Sequence, residues 1–167
     1  MDARPLLEML AGALDRAGLE AILIGNAAAA LQGAPVTTVD FDFFFRKTPR
    51  NLQKLKALAK DLDAVLMRPY YPVSGLYRLI RDEDGLQADF MATIHGFRSF
   101  AELRAASQRL DLGGHALLIA SLNAIVRSKR AARRPRDKAV LDILEMALYE
   151  KEARDTKAKA RGPKRGK

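Results

Sequence analysis

Two aspartates stand two residues apart within the apolar segment 38–45, which reads TVDFDFFF. The β-branched and aromatic residues of this segment favour a strand. Residues i and i+2 of a strand point to the same face, so Asp40 and Asp42 are predicted to project together. The opposite face then receives the apolar residues Val39, Phe41 and Phe43. Two like charges beside a core cost free energy, and a bound divalent cation is the natural compensation.

Asp89 interrupts a second apolar segment, 86–91, which reads LQADFM. A carboxylate is expensive there too unless it is used, so Asp89 is the best candidate for a third ligand. Mg²⁺ prefers oxygen ligands, and three converging carboxylates can hold two ions roughly 3.5–4 Å apart. Such a pair clamps an attacking hydroxyl and a leaving pyrophosphate. The alternative is an Asp-x-Asp pair on an exposed strand edge or turn, with no ligand.

Gly25 and Asn26 stand between a short apolar segment, 21–24, and an alanine-rich one. This is a strand-to-helix junction, where glycine allows close backbone approach and the helix start offers free N–H groups to a phosphate. The amide of Asn26 adds a side-chain donor. An ordinary turn between a strand and a helix is the alternative, because such junctions are common.

Basic residues cluster between Arg127 and Lys138. Lys129 follows Ile125 by four residues, so it shares the inward face of a predicted helix and can contact a triphosphate or an incoming substrate. The alternative is a solvated helix face that ends in a favourable positive charge. Asp137 either supports the dipole of the next helix or orients Lys129. His95 and His115 stand singly near glycines and are interpreted as surface residues.

Hydrophobic periodicity, capping residues and turn signals predict the elements that must position these side chains. Their order predicts an α+β fold, a mixed β-sheet with packed helices and a C-terminal helical segment. Helices are predicted over 3–17, 27–32, 49–62, 99–106, 121–133 and 135–154, strands over 21–24, 38–45, 64–67, 76–81, 86–93, 108–112 and 116–119, and a loop over 68–75. Thr48 is the predicted N-cap of the third helix, with Pro49 at its first position.

Composition narrows the classes of protein that the chain can represent. The 167 residues contain no cysteine, which excludes disulfides, thiolate metal sites and cysteine nucleophiles. No run of about 18 apolar residues indicates a membrane span, and the N-terminus does not resemble a signal peptide. We therefore expect a cytoplasmic protein with no membrane contact.

The formal charge of +9 is unevenly placed, because residues 151–167 carry eight Lys/Arg against two acids and hold +6 of it. This composition predicts a domain over 1–150 and a basic tail over 151–167, which begins as a frayed helix end and finishes disordered. Such a tail contacts nucleic acid by charge, or it is simply solvated.

The order of these motifs resembles the nucleotidyltransferase fold of the DNA polymerase β superfamily. The resemblance extends to its small nucleotidyltransferase-like toxins of abortive-infection and toxin–antitoxin systems. The family pattern is a strand, Gly-Ser or Gly-Gly, a helix, Gly, Arg-x-Thr-x-Asp-x-Asp and a later acid. It is matched here by Ile24-Gly25-Asn26, by GAPVTTVDFD over 33–42 and by Ala88-Asp89-Phe90. The segment 128–137, SKRAARRPRD, is similar to the family's Ser-Lys-Arg-Ala-Ala-x-Arg-Pro-x-Asp.

The resemblance covers about residues 20–145 and implies roles for individual side chains. The metal ligands are Asp40, Asp42 and Asp89, with Asp89 also a possible activator of the attacking hydroxyl. The nucleotide-binding residues are Gly25, Asn26, Thr38, Lys129 and Asp137. Lys129 neutralises phosphate charge, which adds it to the aspartates as a catalytic residue, and Asp137 orients it.

The implied reaction is Mg²⁺-dependent transfer of an NMP from an NTP to a hydroxyl of a tRNA, a protein or a small molecule. A toxin role and an antitoxin partner are further implications. Two positions depart from the family pattern, since Asn26 replaces the second Gly or Ser and Val36 replaces the Arg. The alternative is therefore a catalytically impaired module that binds a nucleotide or a partner.

Overall fold

The computed structural model describes residues 2–68 and 75–162, and the predicted loop over 68–75 lies mostly outside them. Six helices and seven strands are described. The helices are α1 (Arg4–Ala17), α2 (Gly25–Leu31), α3 (Pro49–Asp61), α4 (Phe100–Ala105), α5 (Leu122–Ala132) and α6 (Lys138–Ala160); a 3₁₀ turn (Pro135–Asp137) precedes α6. The strands are β1 (Ala21–Ile24), β2 (Phe41–Phe45), β3 (Val65–Met67), β4 (Tyr77–Arg81), β5 (Leu86–Met91), β6 (Ser107–Leu112) and β7 (His115–Ala120).

The strands form one mixed sheet in the order β3-β4-β5-β2-β1-β7-β6. The pairs β1–β7 and β2–β5 are parallel, and the other pairs are antiparallel. The predicted α+β architecture, with a mixed sheet, packed helices and a C-terminal helix, is therefore confirmed. The capping expected at residues 48 and 49 is present, because Thr48 Oγ1 accepts a hydrogen bond from the Asn51 backbone N–H at the start of α3.

Strand β2 begins at Phe41, three residues later than predicted. Thr38 donates a hydrogen bond from its hydroxyl to the Asp40 carbonyl at 2.6 Å, a local bond that competes with strand pairing. Val39 is consequently 90% exposed. Its predicted packing beside Phe41 and Phe43 is wrong, whereas those two phenylalanines are buried as expected.

Helix α6 continues to Ala160, six residues beyond the predicted end at 154. The tail therefore begins as a helix end, as expected, but stays helical over 155–160, beyond the predicted boundary. The physical reason is composition, since Ala, Lys and Glu are strong helix formers even without a buried face. Residues 163–167 lie outside the described part of the chain. The division into a domain over 1–150 and a tail stays a prediction.

Aromatic rings fill the core behind strands β2 and β5. Phe43 and Phe90 stack with ring centroids 5.0 Å apart, and Phe45 meets Phe90 edge-on at 6.1 Å. All three side chains are fully buried. Since alternate residues of a strand face opposite sides, this packing fixes the position of the polar side chains on the other face. Among the described residues, no helix is both long and apolar enough to cross a membrane.

We expect Phe90→Ala to lower the free energy of unfolding by about 3–5 kcal/mol, because it empties the space between two buried rings. Val39→Ala is the control and should change it by less than about 0.5 kcal/mol, since Val39 is exposed. Urea denaturation followed by circular dichroism measures both values. Equal losses in the two variants would show that the rings do not hold this part of the sheet.

Candidate metal and nucleotide site

The predicted carboxylates converge at one place on the sheet. Asp42 and Asp89 are direct partners in the parallel pair of β2 and β5, and Asp40 immediately precedes β2. One carboxylate oxygen from each of Asp40, Asp42 and Asp89 lies within 4.8 Å of the others. Asp89 is buried, with 5% of its surface exposed, while Asp40 and Asp42 are half-buried. We refer to these residues as the acidic triad.

The acidic triad is electrostatically strained. Burial raises the pKa of Asp42 to about 6, and the charges of Asp40 and Asp89 add to the rise. The charges of Lys129 and Arg134 act in the opposite direction. A group whose ionised form is disfavoured by its neighbours is stabilised by a cation placed among them. The triad therefore has both the oxygen ligands and the excess negative charge that a divalent cation requires.

Gly25 provides the space that this cluster needs. It begins α2 directly after Ile24, which pairs with Asp42 across the antiparallel contact of β1 and β2. Its φ of +69° suits glycine, and a Cβ at this position would lie 2.9 Å from Asp42 Oδ2. Any side chain would therefore displace the carboxylate. Gly25 is positioned beside the triad as predicted, although its contact with a nucleotide stays a prediction.

Asn26 follows Gly25 in α2, and Thr38 precedes Asp40 by two residues. Asn26 Oδ1 is buried and has no hydrogen-bond partner among the described residues. An unpaired buried acceptor costs free energy, and a ligand or a water that donates to it removes this cost. Thr38 Oγ1 lies 3.4 Å from Asp40 Oδ1, and Gln87 Nε2 lies 3.4 Å from Asp40 Oδ2. Thr38 thus contacts a triad member, whereas its contact with a nucleotide stays a prediction.

A second charged cluster lies where α5 leads into α6. Lys129 donates to Asp137 Oδ1 at 3.0 Å, and Arg134 Nε donates to Asp137 Oδ2 at 2.8 Å. Burial raises the pKa of Asp137, but hydrogen bonds and charge from the two cations outweigh it and leave the pKa below its usual value. Asp137 therefore forms an ion pair with Lys129, and its role in orienting Lys129 toward a phosphate stays a prediction. The charges of both cations lower the pKa of Asp42, so both act electrostatically on the triad.

Arg78 and Gln87 have contacts at the site that the sequence motifs do not indicate, and Arg134 lies within the 128–137 motif but is given no role by it. Arg78 pairs with Asp89 through two hydrogen bonds of 2.8 Å. A signal for this contact exists in the sequence. The turn over 82–85 pairs Arg81 with Leu86. Three residues further from the turn on each strand, Arg78 pairs with Asp89. The register therefore places a cation beside the third carboxylate.

The two histidines stand apart from the acidic triad. His95 is exposed, and His115 Nδ1 lies 2.9 Å from Asp15 Oδ2 on α1. Neither residue has a described contact with Asp40, Asp42 or Asp89. Val36, at the position of the family's arginine, is half-buried and packs against the hydrophobic core, so no cation from this position reaches the site.

No protein-family model and no curated protein sequence matches the chain. Solved structures do match. The chain is similar to ANT(2'')-Ia in complex with adenylyl-2''-tobramycin, with a TM-score of 0.62, 15% identity and coverage of 92% of each chain. It is similar to a putative nucleotidyltransferase, TM1012 from Thermotoga maritima, with a TM-score of 0.58, 16% identity and coverage of 87% and 92%. It is also similar to the lincomycin-bound lincosamide adenylyltransferase LnuA, with a TM-score of 0.55, 11% identity and coverage of 79% and 89%.

These similarities extend over most of each chain, so the protein has the nucleotidyltransferase fold. The sequence-based recognition of this fold is confirmed. The resemblance to toxins is not specifically supported by these neighbours. Because the identities are low, the similarity establishes the fold, and activity has to be inferred from the site itself.

Gly25→Ala should weaken Mn²⁺ binding at least tenfold, because the added methyl group meets the Asp42 carboxylate. Gly33→Ala is the matched control, since Gly33 also has a positive φ of +90° but a Cβ added there would meet no atom within 4 Å. Both variants incur the strain of a positive φ, roughly 1 kcal/mol or more. Isothermal titration with Mn²⁺ separates strain from contact, and equal affinities in the two variants would contradict this role of Gly25.

Asp42→Asn should stabilise the metal-free protein above pH 6. The pKa of Asp42 is about 6 in the folded protein against 3.8 ordinarily, so its ionisation opposes folding. This cost is absent below about pH 3.8, grows from there to about pH 6, and is complete at higher pH. We expect a gain of about 1–3 kcal/mol at pH 8 and none at pH 3.5, measured by urea denaturation in EDTA. A gain that is independent of pH would refute the assignment.

Proposed function

We propose that the protein is a Mg²⁺-dependent nucleotidyltransferase that moves an NMP from an NTP to a hydroxyl group of an acceptor. The observation that carries the proposal is the convergence of Asp40, Asp42 and Asp89 within 4.8 Å beside Gly25, on the nucleotidyltransferase fold. Solved neighbours support transfer of an NMP in general, since one of them was crystallised with adenylyl-2''-tobramycin.

The residues present fit a divalent cation. The donors are all oxygens, their charges are incompletely compensated, and Gly25 leaves open the space beside Asp42. Asp40, Asp42 and Asp89 would hold the ion, which would neutralise charge on the triphosphate and lower the pKa of a bound hydroxyl. Mg²⁺ is the expected ion, because it favours oxygen ligands and keeps places in its shell for phosphate oxygens.

The proposed transfer forms one bond to phosphorus and breaks one, and the site supplies an acceptor for the proton. The acceptor oxygen forms a bond to the α-phosphorus, the bond from that phosphorus to the α,β-bridging oxygen breaks, and pyrophosphate leaves. In this scheme Asp89 accepts the proton of the acceptor hydroxyl, directly or through a water. Lys129 and Arg134 stabilise negative charge on the phosphates, and Asp137 keeps both cations in position. Gly25 and Asn26 bind the triphosphate, and Thr38 orients Asp40.

The acceptor class is open between a small molecule, a tRNA and a protein. The neighbours crystallised with adenylyl-2''-tobramycin and with lincomycin favour a small hydroxylated acceptor. A toxin role and an antitoxin partner remain proposals that derive from the sequence resemblance alone. The competing function is a catalytically impaired module that binds a nucleotide or a partner, favoured by Val36 in place of the family's arginine and by the pairing of Asp89 with Arg78.

The protein should transfer label from α-³²P-labelled NTPs in Mg²⁺ to an acceptor in a panel of total tRNA, proteins and hydroxylated antibiotics. Asp40→Ala should reduce transfer by at least 10³-fold, because it removes one of the carboxylates that hold the metal. Asp142→Asn, on an exposed position of α6, is the control and should transfer as wild type does. Mg²⁺-dependent NTP binding without transfer to any acceptor would favour the non-catalytic module, and absence of NTP binding would reject the proposal.

A weak nucleic-acid contact is a second proposal, favoured by the continuation of α6 to Ala160 with Arg154, Lys157 and Lys159 exposed. Changing Arg154, Lys157 and Lys159 together to Gln should weaken binding of a fluorescein-labelled 12-nucleotide RNA at least tenfold at 50 mM salt. The charge-matched control changes Arg50, Lys56 and Lys60 on α3 and should alter binding by less than threefold. Fluorescence anisotropy measures both, and equal losses would show that only net charge matters.

A further inference from the structure

Arg78 forms an ion pair with Asp89 of the acidic triad. It lies on β4 directly opposite Asp89 on β5. Nε donates to Asp89 Oδ1 and Nη2 donates to Oδ2, both at 2.8 Å, so the guanidinium binds the carboxylate in a bidentate manner. The Asp89 side chain is 7% exposed and that of Arg78 is 34% exposed. Two-point pairs of this kind are geometrically specific and stronger than neutral hydrogen bonds.

Other nearby cations are engaged elsewhere. Lys129 and Arg134 both bond to Asp137, and among the described residues Arg78 is the cation that forms an ion pair with the triad. The hydrogen bond to Asp89 and the charges of all three aspartates raise the pKa of Arg78, although burial acts against the rise. Through its two hydrogen bonds to Asp89, Arg78 serves as the counter-ion of the triad.

This arrangement affects a metal ion in two ways. Each carboxylate oxygen has two lone pairs, and the guanidinium uses one of them on each oxygen, so Asp89 keeps acceptor capacity for an ion. The guanidinium nevertheless stays a permanent positive charge a few ångströms away. It reduces the three negative charges of the triad to a net two, which disfavours a free divalent cation.

We propose that Arg78 is a positioning residue that fixes Asp89 and holds the affinity of the acidic triad for a free divalent cation low, so that metal occupancy depends on the arrival of a polyphosphate. This inference is based on the proposed function. A triphosphate brings negative charge that offsets the guanidinium, so the ion and the polyphosphate bind together. Arg78 thus couples the binding of the two ligands through its contact with Asp89.

The test measures Mn²⁺ affinity at pH 8, without nucleotide, by isothermal titration. Arg78→Gln should bind Mn²⁺ roughly tenfold more tightly than wild type, because one positive charge is removed beside the site. Arg78→Lys should stay within about threefold of wild type, because the charge is kept. Arg81→Gln is the matched control: Arg81 lies on the same strand and has its own two-point ion pair, with Asp84, but no contact with the triad. An unchanged or weaker affinity in Arg78→Gln overturns the proposal.

Arg78→Gln leaves the buried Asp89 unpaired and can destabilise the free protein. Thermal melts therefore accompany the titration. Mn²⁺ alone should raise the melting temperature of Arg78→Gln by more than that of wild type, and Mn²⁺ with tripolyphosphate should raise both by similar amounts. If the variant folds only in Mn²⁺, the proposal is supported; if Mn²⁺ does not restore folding, it is overturned.

These results are separable from the test of function. Label transfer by wild type together with an unchanged Mn²⁺ affinity in Arg78→Gln rejects the role of Arg78 and keeps the enzyme. Tighter Mn²⁺ binding in Arg78→Gln without any label transfer keeps the role of Arg78 and rejects catalysis.

Discussion

The structure depends on one constraint, the convergence of three negative charges on a sheet whose other side is packed with aromatic rings. The parallel register of β2 and β5 places Asp42 directly beside Asp89, and the next pair along is Phe43 with Phe90. The stacked rings thus fix the spacing of the carboxylates, and neither can move without disturbing the core. Three local features accommodate this concentration of charge: Gly25, Arg78 and the cluster around Asp137.

These features differ in kind. Gly25 acts sterically, because the absence of a side chain leaves room for the Asp42 carboxylate. Arg78 compensates the negative charge by a direct ion pair with Asp89. Lys129 compensates it at longer range and is itself paired with Asp137. The compensation is incomplete, because the pKa of Asp42 still rises to about 6. A fold with this remaining imbalance suits a site that binds cations and releases them, since full internal neutralisation would leave nothing for a ligand to stabilise.

Sequence alone predicts much of this molecule, and its failures have local causes. Strong periodicity and capping residues predict the helices and strands. The cost of charge in apolar segments indicates Asp40, Asp42 and Asp89 as candidate metal ligands. Val39 is misplaced because a hydrogen bond of Thr38 to Asp40 overrides strand propensity. Arg78 is missed because its role depends on the strand register rather than on a motif. The helical state of residues 155–160 is missed because a basic composition suggests disorder, although Ala and Lys are strong helix formers.

The two strands that carry Asp42 and Asp89 are distant in sequence, since α3, β3 and β4 intervene between them. Their pairing is a non-local contact, which must overcome the entropy of closing the chain between them. No fragment that lacks either strand contains the triad. A ligand that binds all three carboxylates is therefore linked to the folding equilibrium of the whole sheet rather than to a local loop. Ligand binding at the triad therefore requires the folded sheet, and a partly folded chain lacks the complete site.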